Sequence, residues 1–253
     1  MRIRPEVMMN EPRQNLSIQG LSFIAGGHYN EVSISGLASA KGAISAGRLR
    51  IDGFGRFRKR AEIGICTISG IGAFRSGFAV DKLEVNGVST IRGNLRAREL
   101  TCEGILRTSG DLACEKLSAT GSWRCRGDVD ACDVHLEGAI RVGGVLSADS
   151  ITLLPDVAGQ LRDVLADRIT IHPSSFNRKS LWKTVSRILG IRPVIHARLI
   201  EGENIELDAV HVERVCGKRV RIGPSCSAGT IEYSESLDVH PNAIVRNTLK
   251  VSD

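Results

Sequence analysis

Apolar residues recur at every seventeenth position over the first two thirds of this chain. Within each unit apolar and polar residues alternate, which is the pattern of strands whose successive side chains point to opposite faces. We therefore predict about three short strands in each 17-residue unit. Two positions of the unit are apolar in eight successive repeats: Val32, Leu49, Cys66, Leu83, Leu100, Leu117, Val134 and Ile151, and then Ile34, Ile51, Ile68, Val85, Cys102, Ala119, Leu136 and Leu153.

Glycine follows the same period, at Gly36, Gly53, Gly70, Gly87, Gly104, Gly121 and Gly138. Because glycine adopts positive φ easily, it suits sharp corners between strands. A 17-residue unit at ~3.3 Å per residue has a contour of roughly 56 Å, enough for one coil of a solenoid. The pattern predicts an all-β parallel β-helix. We expect right-handed coils, since left-handed β-helices repeat hexapeptides, about 18 residues per coil, and no hexapeptide persists here.

The repeat breaks after Ile171. Leu181, Val185, Ile188 and Leu189 then lie on one side of a short amphipathic helix that also contains Trp182. This helix either caps an open end or side of the β-helix, which we favour, or lies in a membrane interface with its basic residues. Strand-like pairs return at Ile205/Leu207, Val220/Ile222, Leu237/Val239 and Leu249/Val251.

The predicted organisation is a flexible segment over 1–14, the main β-helix over 15–172, a helical excursion over 173–198 and C-terminal coils over 199–253. The pattern leaves open whether the last coils continue the same β-helix. It also leaves open whether the excursion blocks one end of it.

The composition is consistent with a narrow core of small aliphatic residues, since 42% of residues are hydrophobic and only 4% are aromatic. No apolar stretch is long enough for a transmembrane helix. The seven cysteines contain no C-x-x-C pair, and no apolar signal region begins the chain. We therefore expect free thiols and a cytoplasmic protein, peripheral at most on the inner face of the membrane.

No catalytic constellation is found in the sequence. The six histidines are scattered, and the outward carboxylates form no ladder of the kind that glycan-cleaving β-helix enzymes need. We predict a protein that is not an enzyme and that has no cofactor, metal or small-molecule substrate. The residues considered were His28, His135, His172, His196, His211, His240, Asp52, Glu84, Glu103 and Glu137.

Part of the net charge of +6 is organised into a basic stripe. At the outward positions beside residue 40 and its equivalents, nine of fourteen residues are cationic and none is acidic. The stripe is a candidate anion-binding surface; the alternative is a solvated outer face with Asp111 and Asp128 nearby. Nucleic acid is disfavoured because no aromatic residues interleave with the charges. The nine are Lys41, Arg56, Arg58, Arg75, Arg92, Arg107, Arg124, Arg126 and Arg141.

The glycine-punctuated coils of 32–153, with the segments 199–207, 217–224 and 231–237, resemble the bactofilins, and specifically their longer two-part Gram-positive type. The resemblance implies a right-handed β-helix that polymerises end to end without nucleotide. It implies a scaffold for cell-shape, cell-wall or appendage machinery at the inner membrane face, with itself and cell-envelope or appendage proteins as partners. The interruption at 172–198 departs from the uninterrupted members of that family.

We therefore expect a cytoskeletal scaffold that assembles through its terminal coils. The alternative is a non-polymerising module that binds anionic lipid or another polyanion through the stripe. The expected polymer contacts are Leu16, Ile18, Leu21 and Phe23 at one end and Leu237, Val239, Leu249 and Val251 at the other.

Overall fold

The structure is a computed structural model that describes residues 14–173 and 194–252. Its regular elements within those ranges are 23 strands and no helix. In chain order they are β1 (Gln14–Ile18), β2 (Leu21–Ile24), β3 (Gly27–Ile34), β4 (Leu37–Ala40), β5 (Ile44–Ile51), β6 (Phe54–Phe57), β7 (Ala61–Ile68), β8 (Ile71–Phe74), β9 (Phe78–Val85), β10 (Val88–Ile91), β11 (Leu95–Cys102), β12 (Ile105–Thr108), β13 (Leu112–Ala113), β14 (Lys116–Cys125), β15 (Val129–Asp130), β16 (Asp133–Val142), β17 (Val145–Pro155), β18 (Gly159–Gln160), β19 (Asp163–Ile171), β20 (Ile195–Leu207), β21 (Val210–Ile222), β22 (Ser227–Val239) and β23 (Ile244–Lys250).

The strands form a parallel β-solenoid of about 13 turns. Strands away from the two ends pair in parallel with their equivalents one coil before and one coil after, which builds three sheet faces. Face A begins with β1 and the second half of β3, face B begins with β2 and β4, and face C begins with the first half of β3. The predicted all-β solenoid is therefore confirmed.

The register between coils follows the spacing in the sequence. In the central coils Leu49 pairs with Cys66, and Cys66 pairs with Leu83, so the offset is the seventeen positions of the repeat. The offset is 16 where β1 meets β3, 18 where β17 meets β19, and 15 where β20 meets β21. Coil length therefore varies by a residue or two at corners while the inward positions stay aligned.

The inward residues of face A form the centre of the core. All sixteen apolar positions predicted for this face are buried, and Val32, Cys66 and Leu136 are fully inaccessible to water. Burying one such aliphatic side chain stabilises a fold by about 1.5–3 kcal/mol. The stacked rows therefore hold successive coils together from inside while backbone hydrogen bonds join them from coil to coil.

Face B fills the same space with residue pairs of complementary size. Phe57 and Phe74 stack at 4.7 Å between ring centroids, and each follows a glycine two residues earlier. A Cβ on Gly72 would lie 3.2 Å from the Phe74 ring, so the glycine leaves room for the aromatic side chain. Three coils beyond Phe74 the order reverses, with Trp123 preceding the small Cys125.

The C-terminal coils continue the same solenoid. Strand β20 pairs with β19 through Ile169 and Ile205, and with β18 through Gly159 and Ile195. The chain therefore returns to its own last coil after residues 174–193. Strand β20 begins at Ile195, which is inside the segment expected to be a helical excursion over 173–198.

The predicted helix residues Leu181, Trp182, Val185, Ile188 and Leu189 lie outside the described residues. The structure therefore leaves the helix, and either role for it, as a prediction.

The last two strand-like pairs of the sequence lie on different faces. Leu237 and Val239 continue the inward row of face A, whereas Leu249 pairs with Glu232 on face C. The reason is spacing, because Leu249 follows Leu237 too closely in the sequence for the chain to complete a coil between them. Strand β23 therefore adds to faces B and C only.

The periodic glycines are required by close approach of the backbone more than by positive φ. Of the seven, only Gly121 and Gly138 have positive φ. At the equivalent corner the amides of Ser69 and Gly70 both donate to the Ile51 carbonyl of the preceding coil, each at 2.9 Å. These hydrogen bonds bring the corner close to the backbone of the preceding coil. A Cβ on Gly70 would lie 2.1 Å from a carbonyl oxygen of that coil.

We predict that Gly70→Ala lowers the free energy of unfolding by about 1–3 kcal/mol, the usual cost of overpacking. The new Cβ would lie 2.1 Å from the carbonyl oxygen of Gly53 and 2.4 Å from that of Asp52, so the backbone must move. Urea denaturation followed by circular dichroism measures the change. Gly20→Ala is the control, because it occupies the same corner of the first coil and nothing described lies within 4 Å of its Cβ. It should change stability by less than about 0.5 kcal/mol; equal effects would contradict the explanation.

Candidate functional site

The nine cations of the basic stripe lie in two adjacent columns on the outside of face B. The register places Arg107, Arg124 and Arg141 as direct neighbours on three successive coils. Neighbouring coils are ~4.8 Å apart, so these charges repel one another. Arg56 lies in the same column, separated from Arg107 by Ala73 and Thr90. The second column contains Lys41, Arg58, Arg75, Arg92 and Arg126, all exposed. The predicted clustering of the nine residues is therefore present.

The stripe cations have no carboxylate partners among the described residues. None of the nine takes part in a salt bridge within 4 Å. Two of them lie over aromatic rings instead: Lys41 is 4.7 Å from the ring centroid of Phe23, and Arg56 is 5.8 Å from that of Phe54. Asp111 and Asp128, the carboxylates expected near the stripe, accept hydrogen bonds from backbone amides of the next coil.

In the C-terminal coils, unlike in the stripe, exposed cations form salt bridges. On the outside of these coils Lys218 pairs with Glu203 at 2.6 Å, and Arg221 pairs with Glu206 at 3.2 Å. The hydrogen bond from Lys218 also lowers the pKa of the Glu203 carboxyl. Basic residues are therefore neutralised across adjacent coils here, whereas those of the stripe leave a positive surface.

The structure extends one stripe column with two histidines that the sequence analysis treated as scattered. Arg141 is followed in register by Gln160, His196 and His211. The two imidazole rings meet edge to face with centroids 5.1 Å apart. The interval from His196 to His211 in the sequence equals the local coil length, and that equality is the signal that could have placed them together.

The predicted polymer contacts divide into inward and outward residues. Ile18 points into the core and is buried, whereas Leu21 and Phe23 lie on the outside of face B and are 75% and 64% exposed. At the other end Val239 continues the inward row of Ile222, and Leu249 lies outside face C. Residues of both kinds lie on the terminal coils, and self-association through them remains a prediction.

The described residues contain no cluster that suggests catalysis or metal binding. No group of three His, Cys, Asp or Glu residues in that part of the chain is placed to hold a metal ion. The cysteines are all free. Burial raises the pKa of the Cys66 thiol, and it raises that of Cys114 to about 12. Both side chains belong to the buried core.

An ion pair with a buried carboxylate lies where the chain re-enters the solenoid. Arg198 donates through Nε to Asp163 at 2.8 Å and through a second guanidinium nitrogen to the other carboxylate oxygen. The Asp163 side chain is 8% exposed, and the Arg198 side chain is 55% exposed. The hydrogen bonds from Arg198 lower the pKa of the Asp163 carboxyl. This pair links the coil before residues 174–193 to the coil after them.

Fold and surface together define a parallel β-solenoid with a basic stripe that has no salt-bridge partner among the described residues. No family model matches the chain, and no solved structure matches it. It is similar to the uncharacterized protein YhbE of Bacillus subtilis (strain 168), at 32% identity over 111 residues, which is 44% of this chain and 45% of YhbE. It is also similar to the uncharacterized protein YhbF of the same strain, at 38% identity over 55 residues, which is 22% of this chain and 23% of YhbF. The chain thus spans less than half the length of the curated relatives that it matches.

Across the described ranges, no helix is long and apolar enough to span a bilayer.

We predict that Asp163→Asn lowers the free energy of unfolding at neutral pH, and that its difference from the wild type shrinks in acid. A carboxyl whose pKa is lower in the folded chain stabilises the fold above its unfolded pKa of about 3.9. That stabilisation is lost as the pH falls through the folded pKa. Urea midpoints measured between neutral and acidic pH test both statements.

The control is Asp52→Asn, which breaks an exposed pair between Asp52 and Arg50, two residues apart on one coil. Because exposed ion pairs contribute little, its effect should be clearly smaller at neutral pH. If the two variants behave alike, the pair of Asp163 and Arg198 does not anchor the returning chain.

Proposed function

We propose that this chain is a non-enzymatic, bactofilin-like cytoskeletal scaffold. Its coils stack end to end between molecules, and the resulting polymer organises cell-shape, cell-wall or appendage machinery at the inner face of the membrane. The observation that supports this proposal most directly is that both terminal coils leave a strand edge with no further described strand beside it. The expected partners are further copies of the chain and proteins of the cell envelope or of an appendage.

Strand pairing among the described residues ends on one side at each terminal coil. Strand β1 pairs with β3 and β2 pairs with β4, and neither has a described neighbour on its other side. At the far end β23 pairs with β22, and Leu237 and Val239 of β22 have no described partner above them. Such edges carry unpaired amide and carbonyl groups that can template another strand.

Stacking would repeat an interaction that the molecule already makes many times. A first coil placed on a last coil in parallel register would extend the hydrogen-bonded ladders and cover the inward apolar residues. Val239 is 36% exposed, whereas Ile222 in the same row of the preceding coil is 1% exposed. Because the two joined surfaces differ, the contact is head to tail and leads to an open filament.

A second candidate function is favoured by the unpaired stripe. A non-polymerising module could bind anionic lipid or another polyanion through the nine cations, whose charges no described carboxylate neutralises. Affinity of this kind would fall steeply as salt is raised. The stripe lies on the side of the solenoid, so the two functions use different surfaces.

We predict filaments of the purified full chain in negative-stain electron microscopy, and we expect Val239→Glu to abolish or shorten them. A carboxylate at this inward position would be buried without a partner when another coil stacks on it. In the single molecule the position is partly open to water, so folding should be retained, as thermal melting would verify.

Ser236→Glu is the matched control, since it adds the same charge to the same strand at an outward, exposed position beside Arg219. Its filaments should resemble those of the wild type. A wild-type chain that stays monomeric at high concentration would overturn the polymer proposal, as would normal filaments of Val239→Glu.

A further inference from the structure

We propose that the outer surface of face B over its first six coils binds the surface of an anionic lipid bilayer. An apolar column of this face would enter the interfacial layer, and the cations beside it would contact lipid phosphates. The inference rests on the second candidate function, which it makes specific by adding an apolar contact, and it does not depend on end-to-end assembly.

The apolar column consists of outward residues that the strand register aligns. Leu21 pairs with Leu37, Leu37 with Phe54, and Phe54 with Ile71. Leu21, Leu37 and Ile71 are 75%, 53% and 46% exposed, whereas equivalent outward positions of a strand are usually polar when they face water. The complete column is Leu21, Leu37, Phe54, Ile71, Val88 and Ile105.

The apolar column is confined to one part of the solenoid. In the next two coils the same position holds Ser122 and Ala139. Six coils at ~4.8 Å spacing give a column about 24 Å long. Single exposed apolar residues are common on protein surfaces, whereas a continuous exposed apolar row indicates a binding surface.

Cations run parallel to this column on the same face. They occupy outward positions two and four residues further along each strand, about 7 Å and 13 Å from the apolar column. No acidic residue occupies any of these positions in the six coils, and Asp52 at the adjacent corner is held by Arg50 at 2.7 Å. The cations of these coils are Lys41, Arg56, Arg58, Arg75, Arg92 and Arg107.

Individual contacts in this area bring aromatic and cationic groups together. Phe23 is 64% exposed and has the Lys41 ammonium 4.7 Å from its ring centroid, while Arg56 lies over Phe54. The Nε of Arg56 has no hydrogen-bond partner among the described residues. Exposed aromatic and aliphatic side chains beside unpaired cations are typical of surfaces that lie in the membrane interface.

Because face B carries cations beside an apolar column, its possible binding partners can be compared. Two copies joined through this face would bring their unpaired cations together and repel each other. A soluble polyanion would satisfy the cations and leave the apolar column in water. An anionic bilayer satisfies both, because its phosphates lie directly above an apolar layer.

The test is flotation of the full chain on a density gradient with vesicles of phosphatidylcholine alone and of phosphatidylcholine mixed with phosphatidylserine, because filaments without lipid do not float. We expect binding to the mixed vesicles only. Changing Arg58, Arg75 and Arg92 together to Gln should lower the partition coefficient about a hundredfold, or about fivefold per charge. Changing Leu37 and Ile71 together to Ser should lower it at least about tenfold, because the column then has less apolar area to bury.

Two matched controls remove the same groups from other places. Arg48, Arg96 and Arg98 changed together to Gln lose three exposed arginines of other faces, and Ile65 and Val157 changed together to Ser lose two exposed apolar residues outside the column. Both controls should bind nearly as the wild type does, since charges more than about 10 Å from the membrane are largely screened. Thermal melting of each variant verifies folding.

Three results would overturn the proposal. The first is a wild-type chain that does not bind the mixed vesicles. The second is loss of binding by the control variants to the same extent as the face B variants, which would show a general charge effect. The third is normal vesicle binding by the Leu37→Ser and Ile71→Ser variant, which would show a surface for soluble polyanions. Sedimentation velocity of the wild type and the face B variants without lipid identifies a contact between copies through this face, since only that contact would be lost in the variants.

Discussion

Parallel stacking of successive coils is the constraint on which this structure depends. Each coil must return to the same corner one strand spacing above its starting point, and the backbone amides there donate to carbonyls of the coil below, as those of Ser69 and Gly70 donate to Ile51. That approach leaves no room for a Cβ, so glycine recurs at the corner. Once the corner is set, every inward position aligns with its equivalents and the core becomes a set of continuous rows.

The same alignment organises the outer surface. A residue type that recurs at one position of the coil becomes a column, so a modest preference in sequence becomes a continuous physical feature. Face B shows this twice, with an apolar column beside cationic columns, while the C-terminal coils pair Lys218 with Glu203 and neutralise their charges. The mode of stacking also means that the ends of the molecule differ from its sides. Contacts at the ends would add further copies of the chain to the solenoid, whereas the side surface of face B would contact a membrane.

Much of the fold could be predicted because a repeated unit shows its own period. The inward rows, the three strands per coil and the stripe on face B all followed from the constant spacing of the repeat. Prediction weakened where the spacing changed. His196 and His211 looked unrelated until the shorter C-terminal coils placed them side by side. The face of Leu249, which is face C, was not predicted either. The outward apolar column was missed because Leu37, Ile71 and their equivalents alternate with residues already assigned to the core.

The sequence by itself determined the fold class, the inward rows and the clustering of cations, because all three depend only on a constant number of residues per coil. Tertiary structure decided what happens where that number varies. It joined β20 to β19 across residues 174–193, and it brought Arg198 to Asp163 although they are 35 residues apart. It also showed that most corner glycines are needed for close backbone approach. Contacts between coils of unequal length depend on how the coils pack, and the spacing of residues along the sequence does not give that packing.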